Sequence, residues 1–159
     1  FVNSYHLNMV RVDQDGVSFS GLNTQALLAL SSDLSVSEIC SLPRGCHNAM
    51  PYQGGILLND TAADVVRYVS RSDDQVSIPV PTFATEELEF RGVDDSRIAR
   101  QGFGRGLCVI NDRLIAAGSS PSTVSIIDIS EGKRLTAVNL TMDIRNAIHG
   151  LECWPDKWS

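Results

Sequence analysis

The sequence predicts an all-β fold built from repeated four-stranded antiparallel meanders, and three observations indicate it. Segment 102–135 contains three short strands and the start of a fourth, separated by turns. Its third strand, 123–129, is β-branched and partly alternating, and the hairpin turn Glu131-Gly132-Lys133 follows it. The same order of strands and turns occurs twice earlier in the chain. We therefore expect helix in less than about a tenth of the residues.

The two earlier repeats begin near residues 6 and 47. In the first, 6–12 and 17–20 alternate apolar and polar residues, and 26–30 and 36–42 supply the other strands. The Ala/Leu run 26–30 could be helical, but it is short and lies between turns, which favours a strand. The second repeat has strands at 56–61, 65–69 and 75–80. The polar, acidic stretch 82–101 then predicts an inserted loop.

The length of 159 residues is enough for one domain with its own core. We predict a single domain, 1–159, with blade-like repeats at about 6–46, 47–104 and 105–148. Such meanders are the blades of β-propellers, which typically close with about four to eight of them. Three blades predict half of a six-bladed ring, completed by a second copy of the chain or by a companion propeller segment. Phe1, Val2, Trp154 and Trp158 are expected at the seam.

Composition excludes two classes of partner. The net charge is −6 and the basic residues are scattered, which argues against a nucleic-acid surface. No apolar run approaches the roughly 18 residues that span a bilayer, so no membrane partner is expected. No targeting segment is visible, and we expect a cytoplasmic protein. The cysteines at 40, 46, 108 and 153 lack a CxxC spacing and are expected as free thiols, with a Cys40–Cys46 bridge as the alternative.

One short segment of the sequence resembles a motif of a known protein family. The run 56–66, ILLNDTAADVV, ends an inner strand with Asp60-Thr61 before the next strand begins. Segment 106–128 repeats the arrangement with Gly118 in place of the aspartate. In these phrases the chain resembles the NHL-like and strictosidine-synthase-like β-propellers. The resemblance implies the propeller fold over most of the chain. It leaves function open, because that group includes binding scaffolds, lactonases and other hydrolases, and members without known activity.

The candidate site rests on the phase of the histidines. His6, His47 and His149 are the only histidines, and they fall at one phase of the repeat, which Arg105 shares. Blades are related by rotation, so equal phase predicts convergence at one end of the central channel. Three imidazoles there would suit a divalent transition metal. Arg105 favours a carboxylate or phosphate instead, because a guanidinium does not ligate metals.

Further polar residues flank these positions, namely Asn8, Asn48, Asn146 and Glu152. We therefore predict binding of a small polar or anionic ligand at the axial face of a propeller, contacted by all eight residues. One alternative is a metal-dependent hydrolase, lyase or oxygenase that uses the same histidines. A second is a structural or interaction scaffold in which the histidines bond to a neighbouring blade. Asp60 and Asp64 could bind Ca²⁺ or act as a general base, although a carboxylate after a strand more often caps backbone N–H groups. The sequence assigns no catalytic residue, and it leaves open whether the protein is an enzyme.

Overall fold

The computed structural model describes residues 5–14, 16–90 and 100–154. In these ranges twelve strands form three four-stranded antiparallel sheets, each with its strands in sequential order. The first sheet contains β1 (Leu7–Asp13), β2 (Gly16–Gly21), β3 (Ala26–Leu30) and β4 (Val36–Ser41). The second contains β5 (Cys46–Tyr52), β6 (Gly55–Asp60), β7 (Val65–Val69) and β8 (Gln75–Pro79). The third contains β9 (Phe103–Val109), β10 (Leu114–Ser120), β11 (Thr123–Asp128) and β12 (Lys133–Asn139).

The predicted all-β class and its four-stranded antiparallel meanders are confirmed. Segments 17–20, 56–59 and 114–117 lie in the second strand of each sheet. The Ala/Leu run is strand β3, paired on both sides by β2 and β4. Helix in the described ranges is limited to one 3-10 turn, Thr85–Glu87. The described residues include no helix with the length and apolar content that crossing a bilayer requires.

The chain divides into two compact units, Phe1–Pro79 and Val80–Ser159. The first unit holds the first two sheets, and β1 and β2 pack against β5. The cluster between these sheets consists of Leu27, Leu42, Cys46, Ala49 and Leu58. Apolar side chains removed from water contribute about 25 cal/mol per Å² of buried surface, so this cluster holds the two sheets together.

The second unit holds the third sheet, whose buried centre includes Leu107, Ile115 and Ile127. After β12 the chain turns back. A parallel bridge joins Asp143 to Glu89, and Ser120 Oγ donates a hydrogen bond of 2.6 Å to the Ile144 carbonyl. These contacts direct the following residues, 145–153, along the third sheet, and that course determines where His149 lies.

Burial decreases from the first strand to the last in the second and third sheets. Strands β5 and β9 are mostly buried, whereas β8 and β12 are mostly exposed. This is the inner-to-outer order of a propeller blade. In the first sheet both β1 and β4 are largely exposed. None of the twelve strands lies in 82–90 or 100–101 of the predicted inserted loop, and the rest of that loop lies outside the described residues. Of the predicted seam residues, Trp154 is 67% exposed. Phe1, Val2 and Trp158 lie outside the described residues.

Candidate functional site

Two equivalent β-bulges position His47 and Arg105. In β5, His47 and Asn48 lie between the pairs Cys46–Asp60 and Ala49–Leu58, so two residues face Asn59 alone. In β9, Arg105 and Gly106 lie between the pairs Gly104–Ser119 and Leu107–Ala117, so two residues face Gly118 alone. The register therefore gives His47 and Arg105 the same phase. In this register Gly118 is equivalent to Asn59, and Ser119 is equivalent to Asp60. The sequence alone aligns Gly118 with Asp60, which is one residue away.

His6 reaches His47 from a different backbone position. The bulge in β1 lies at Asn8, between Leu7 opposite Gly21 and Met9 opposite Ser20. His6 precedes that strand with a φ of 46°, so its phase differs from that of His47. The two imidazole rings nevertheless lie edge to face, with centroids 6.3 Å apart. The first unit thus brings His6 and His47 together.

Asparagine side chains next to His47 in the fold join the first two sheets. Asn48 Nδ2 donates to the Asn8 carbonyl at 3.5 Å, and Asn59 Nδ2 donates to Asn48 Oδ1 at 3.2 Å. His47 and Asn48 are both buried. Asn8 Nδ2 and Oδ1 are buried without a hydrogen-bond partner in the described ranges. Asn8, Asn48 and His47 therefore form a polar layer between β1 and β5, within a mostly apolar interior.

Arg105 and His149 form a direct contact in the second unit. Arg105 Nη1 lies 3.2 Å from His149 Nδ1 and 3.4 Å from Nε2. The Arg105 guanidinium carbon lies 4.4 Å from the centre of the Phe103 ring, within cation–π range. Arg105 Nε is buried and has no hydrogen-bond partner among the described residues. The guanidinium is thus held between an aromatic face and an imidazole.

Burial controls the electrostatics of this pair. Desolvation lowers the pKa of Arg105. The pKa of His149 is lowered first by desolvation and then by the charge of Arg105. His149 therefore stays neutral near pH 7, and one of its ring nitrogens can accept an N–H from Arg105. In the part of the chain that the structure describes, no carboxylate forms an ion pair with Arg105 or His149.

A glycine allows His149 to approach. Ile148 N donates to the Ser119 carbonyl at 3.3 Å, which fixes the backbone beside His149. A Cβ on Gly118 would lie 2.5 Å from the Arg105 carbonyl oxygen and 2.6 Å from the Ile148 side chain. Either distance is a clash, so only glycine permits this close contact between β10 and the returning chain.

Asn146 and Glu152 lie near His149 in sequence, but their side chains do not share its contact with Arg105. Both are exposed, and within the described ranges neither side chain hydrogen-bonds to Arg105 or His149. The Asn146 N–H donates to the Asp143 carbonyl. The pKa of the Cys108 thiol is raised mainly by burial, and the charge of Glu152 adds a minor contribution. The participation of these two residues in a ligand site stays a prediction.

No metal centre is built among the described residues, where no group of three or more His, Cys, Asp or Glu side chains could hold an ion. His6 and His47 belong to the first unit and His149 to the second. The metal set His6, His47 and His149 therefore stays a prediction from sequence phase.

Asp60 has structural partners. Its Oδ2 lies 3.1 Å from Arg67 Nη2, and its Oδ1 accepts from the Ala63 N–H at 3.3 Å. The carboxylate is almost fully buried and pairs with a partly buried guanidinium. It therefore closes the turn between β6 and β7, in keeping with the capping role expected from its place after a strand.

A cavity of about 730 Å³ lies elsewhere in the first unit. It opens between β4 and the second sheet, and its aliphatic lining includes Ile39, Ile56 and Val69. Its charged lining residues are Arg67, Arg71 and Asp73, and Arg67 already pairs with Asp60. None of the eight predicted site residues lines it.

Sequence reasoning did not identify three residues that shape the Arg105 site: Phe103, Gly118 and Ile148. Phe103 precedes Arg105 by two residues in a strand, and this spacing puts both side chains on one face, so the signal was present. The contacts of Gly118 and Ile148 join residues 30 apart in the chain, and no local pattern reports them.

Comparisons with solved structures match the chain to a propeller enzyme. One match is a catalytically inactive histidine-to-alanine variant of virginiamycin B lyase from Staphylococcus aureus with quinupristin. It has a TM-score of 0.54 and 13% identity, and the match covers 84% of this chain and 41% of that one. The selenomethionine-substituted lyase gives the same TM-score and coverage at 11% identity. This likeness shows the propeller fold. The chain spans less than half the length of these structures. No protein-family model and no curated protein matches it.

Proposed function

We propose that the chain binds a small anionic ligand, a carboxylate or a phosphate, through Arg105 and His149. The observation that carries the proposal is a partly buried guanidinium, stacked on Phe103 and bonded to His149, that has no carboxylate partner among the described residues. A desolvated charge without a counter-charge is costly, and a bound anion would reduce that cost.

The chemistry of arginine selects the class of ligand. Its planar fork of N–H donors matches a carboxylate or a phosphate in a bidentate manner. Arg105 Nε is buried and unbonded, and no carboxylate among the described residues forms an ion pair with the guanidinium. A bound anion would supply the counter-charge, and the exposed His149 offers it a way in from solvent. His149 would add a second donor once an anion favours its protonated form.

The position of the pair agrees with a ligand site at a propeller axis. Arg105 lies in β9, the first strand of its sheet and a mostly buried one. The first strands of the blades surround the axis of a closed propeller. His6, His47, Asn8 and Asn48 are the other proposed contributors to the axial face, at the first strands of their own sheets.

Calorimetric titration with inorganic phosphate, and separately with citrate, tests the proposal. Arg105→Gln should weaken binding at least about tenfold, because a charge-assisted hydrogen bond contributes roughly 1.5–3 kcal/mol. Arg71→Gln is the matched control, since it makes the same charge change at an exposed residue of the other unit. Unchanged binding by Arg105→Gln, equal weakening by both variants, or no binding by the unaltered chain would reject the proposal. The last result would favour a scaffold.

A second candidate function is a lyase or hydrolase that uses His149 as a general base. Two observations favour it: the lowered pKa of His149 keeps the imidazole ready to accept a proton, and the matched lyase is inactive when one of its histidines is changed to alanine. Arg105 would then hold a carboxylate or oxyanion of the substrate. Incubation with quinupristin, followed by liquid chromatography, is the first assay. His149→Ala should abolish turnover while leaving most of the phosphate binding through Arg105.

A further inference from the structure

We propose that Cys108 and Cys153 form a reversible disulfide that fastens the returning chain, residues 145–153, to strand β9. Their sulfur atoms lie 3.4 Å apart, although the residues are 45 positions apart in sequence. A disulfide bond is about 2.05 Å long, so closure requires the two sulfurs to approach by about 1.4 Å. An exposed chain segment can supply a movement of that size.

The two cysteines differ in ways that set the order of the reaction. Cys108 is buried in β9, whereas Cys153 is exposed. Burial, and next the hydrogen bond to Cys153, raise the pKa of the Cys108 thiol to about 11. Cys108 is therefore poorly suited to react first with an oxidant, because the thiolate is the reactive form. An oxidant in solution reaches Cys153, which makes Cys108 the resolving thiol.

The oxidant is a hydroperoxide, and the step balances with it alone. The Cys153 thiolate attacks the terminal peroxide oxygen, which forms a sulfenic acid and releases water or an alcohol. The Cys108 sulfur then attacks the sulfenic sulfur, and the displaced hydroxide takes the Cys108 proton and leaves as water. Two thiols are oxidised by two electrons and one peroxide bond is reduced. A dithiol reductant reverses the change by thiol–disulfide exchange.

The disulfide would act on the Arg105–His149 contact. Cys108 follows Arg105 by three residues in β9, and Cys153 follows His149 by four. Between these points, the Ile148 N–H donates a backbone hydrogen bond to the Ser119 carbonyl. A covalent tie at Cys153 would keep His149 beside Arg105 and so reduce the ordering cost of ligand binding. This consequence rests on the proposed anion site, whereas formation of the disulfide does not.

The chain supplies its own control cysteines. Cys40 is partly buried and Cys46 is buried, and both are free. Burial raises the pKa of both thiols, to about 12 for Cys46. Under mild oxidation we expect Cys40 and Cys46 to stay reduced.

Hydrogen peroxide titration of the reduced native chain, read by mass spectrometry, tests the proposal. We expect a loss of about 2 Da per chain, one link between tryptic peptides 106–113 and 146–157, and full reversal by dithiothreitol. Cys108→Ser and Cys153→Ser should each abolish the link, whereas Cys40→Ser should leave it intact. The peptide link in the unaltered chain decides the question even if a variant folds poorly. No link, a link through Cys40 or Cys46, or only links between chains would overturn the proposal.

A second readout separates this proposal from the anion site. Phosphate affinity should be severalfold higher in the oxidised chain than in the reduced chain. A disulfide that forms without altering phosphate affinity refutes the coupling and leaves the disulfide itself supported. A chain that binds phosphate but forms no disulfide refutes the disulfide and leaves the anion site supported.

Discussion

The Arg105 side chain combines two contacts with one buried donor that has no acceptor among the described residues. An aromatic ring lies under the guanidinium, a neutral imidazole accepts from it, and its Nε has no acceptor in the described part of the chain. A purely structural arginine is normally satisfied by carboxylates or carbonyls, because unpaired buried donors are costly. The arrangement therefore favours a binding role.

The pKa of His149 responds directly to this contact. Arg105→Gln should raise it toward the ordinary value of about 6.5, because the repulsion by the guanidinium is lost while desolvation remains. Histidine proton NMR over pH 4–8 measures the change, and Arg71→Gln is the control. If the pKa of His149 is the same in Arg105→Gln as in the unaltered chain, the charge of Arg105 does not lower it and the prediction is wrong.

The same shift predicts how stability depends on pH. Folding favours neutral His149, so the free energy of unfolding is unaffected above its unfolded pKa of about 6.5. It then decreases as the pH falls through the lower folded value. Urea unfolding at pH 7 and pH 5 should show a smaller loss in His149→Gln than in the unaltered chain. An equal loss in both proteins would assign the acid sensitivity to other groups.

Gly118 in β10 lets the returning chain, residues 145–153, pack closely against the third sheet, and this packing positions His149 beside Arg105. Gly118→Ala should lower the free energy of unfolding by roughly 1–3 kcal/mol and weaken phosphate binding, because the new methyl group clashes with Arg105 and Ile148. Gly150→Ala is the matched control, since a Cβ there meets nothing within 4 Å. Urea unfolding and calorimetry measure both effects. Equal tolerance of the two substitutions would contradict the close approach at β10.

The turn after β6 depends on a buried ion pair. Asp60→Asn should lower the free energy of unfolding by roughly 1–3 kcal/mol, because Arg67 is left partly buried without its counter-charge. Asp13→Asn removes the more exposed Arg11 pair and should cost about 0.5 kcal/mol or less. Chemical denaturation compares the two variants. A near-zero effect of Asp60→Asn would reopen a functional role for this carboxylate.

Local pattern predicts the strands well but predicts contacts between them poorly. Alternating and β-branched residues, punctuated by turns, identify the second strand of every sheet, and counting residues gives His47 and Arg105 their shared phase. The prediction that His6 shares this phase is wrong, because the bulge in β1 lies at Asn8 and not at His6. All four cysteines, which lie in the described ranges, are free, as predicted, and the alternative Cys40–Cys46 bridge does not form. The contact between the sulfurs of Cys108 and Cys153 was not predicted, because the returning chain brings together residues that are 45 positions apart.

At the level of the whole molecule, apolar side chains remain exposed on strands at the edges of the first and third sheets. Val10 and Val12 on β1 are 65% and 74% exposed, and Val138 on β12 is 57% exposed. The chain matches 41% of the propeller structures it resembles. Open edges with apolar side chains invite pairing with another chain. We propose that a second copy, or a companion segment, completes the ring.

Assembly is measured by light scattering coupled to size exclusion. A homodimer should have about twice the chain mass of 17.3 kDa, and Val10→Lys with Val138→Lys should shift it toward monomer. Thr136→Lys is a control for added charge on the exposed strand β12. A stable monomer of the unaltered chain, without a tendency to associate, would contradict pairing with a second copy.

Binding of an anion at Arg105 and His149 is tested most directly by the pKa of His149 measured with and without saturating inorganic phosphate. A bound anion stabilises the protonated imidazole, so phosphate should raise this pKa in the unaltered chain and leave it unchanged in Arg105→Gln. Sodium chloride at matched ionic strength supplies the baseline for any general effect of salt. A His149 pKa that phosphate does not alter, or alters equally in Arg105→Gln, would contradict the anion site.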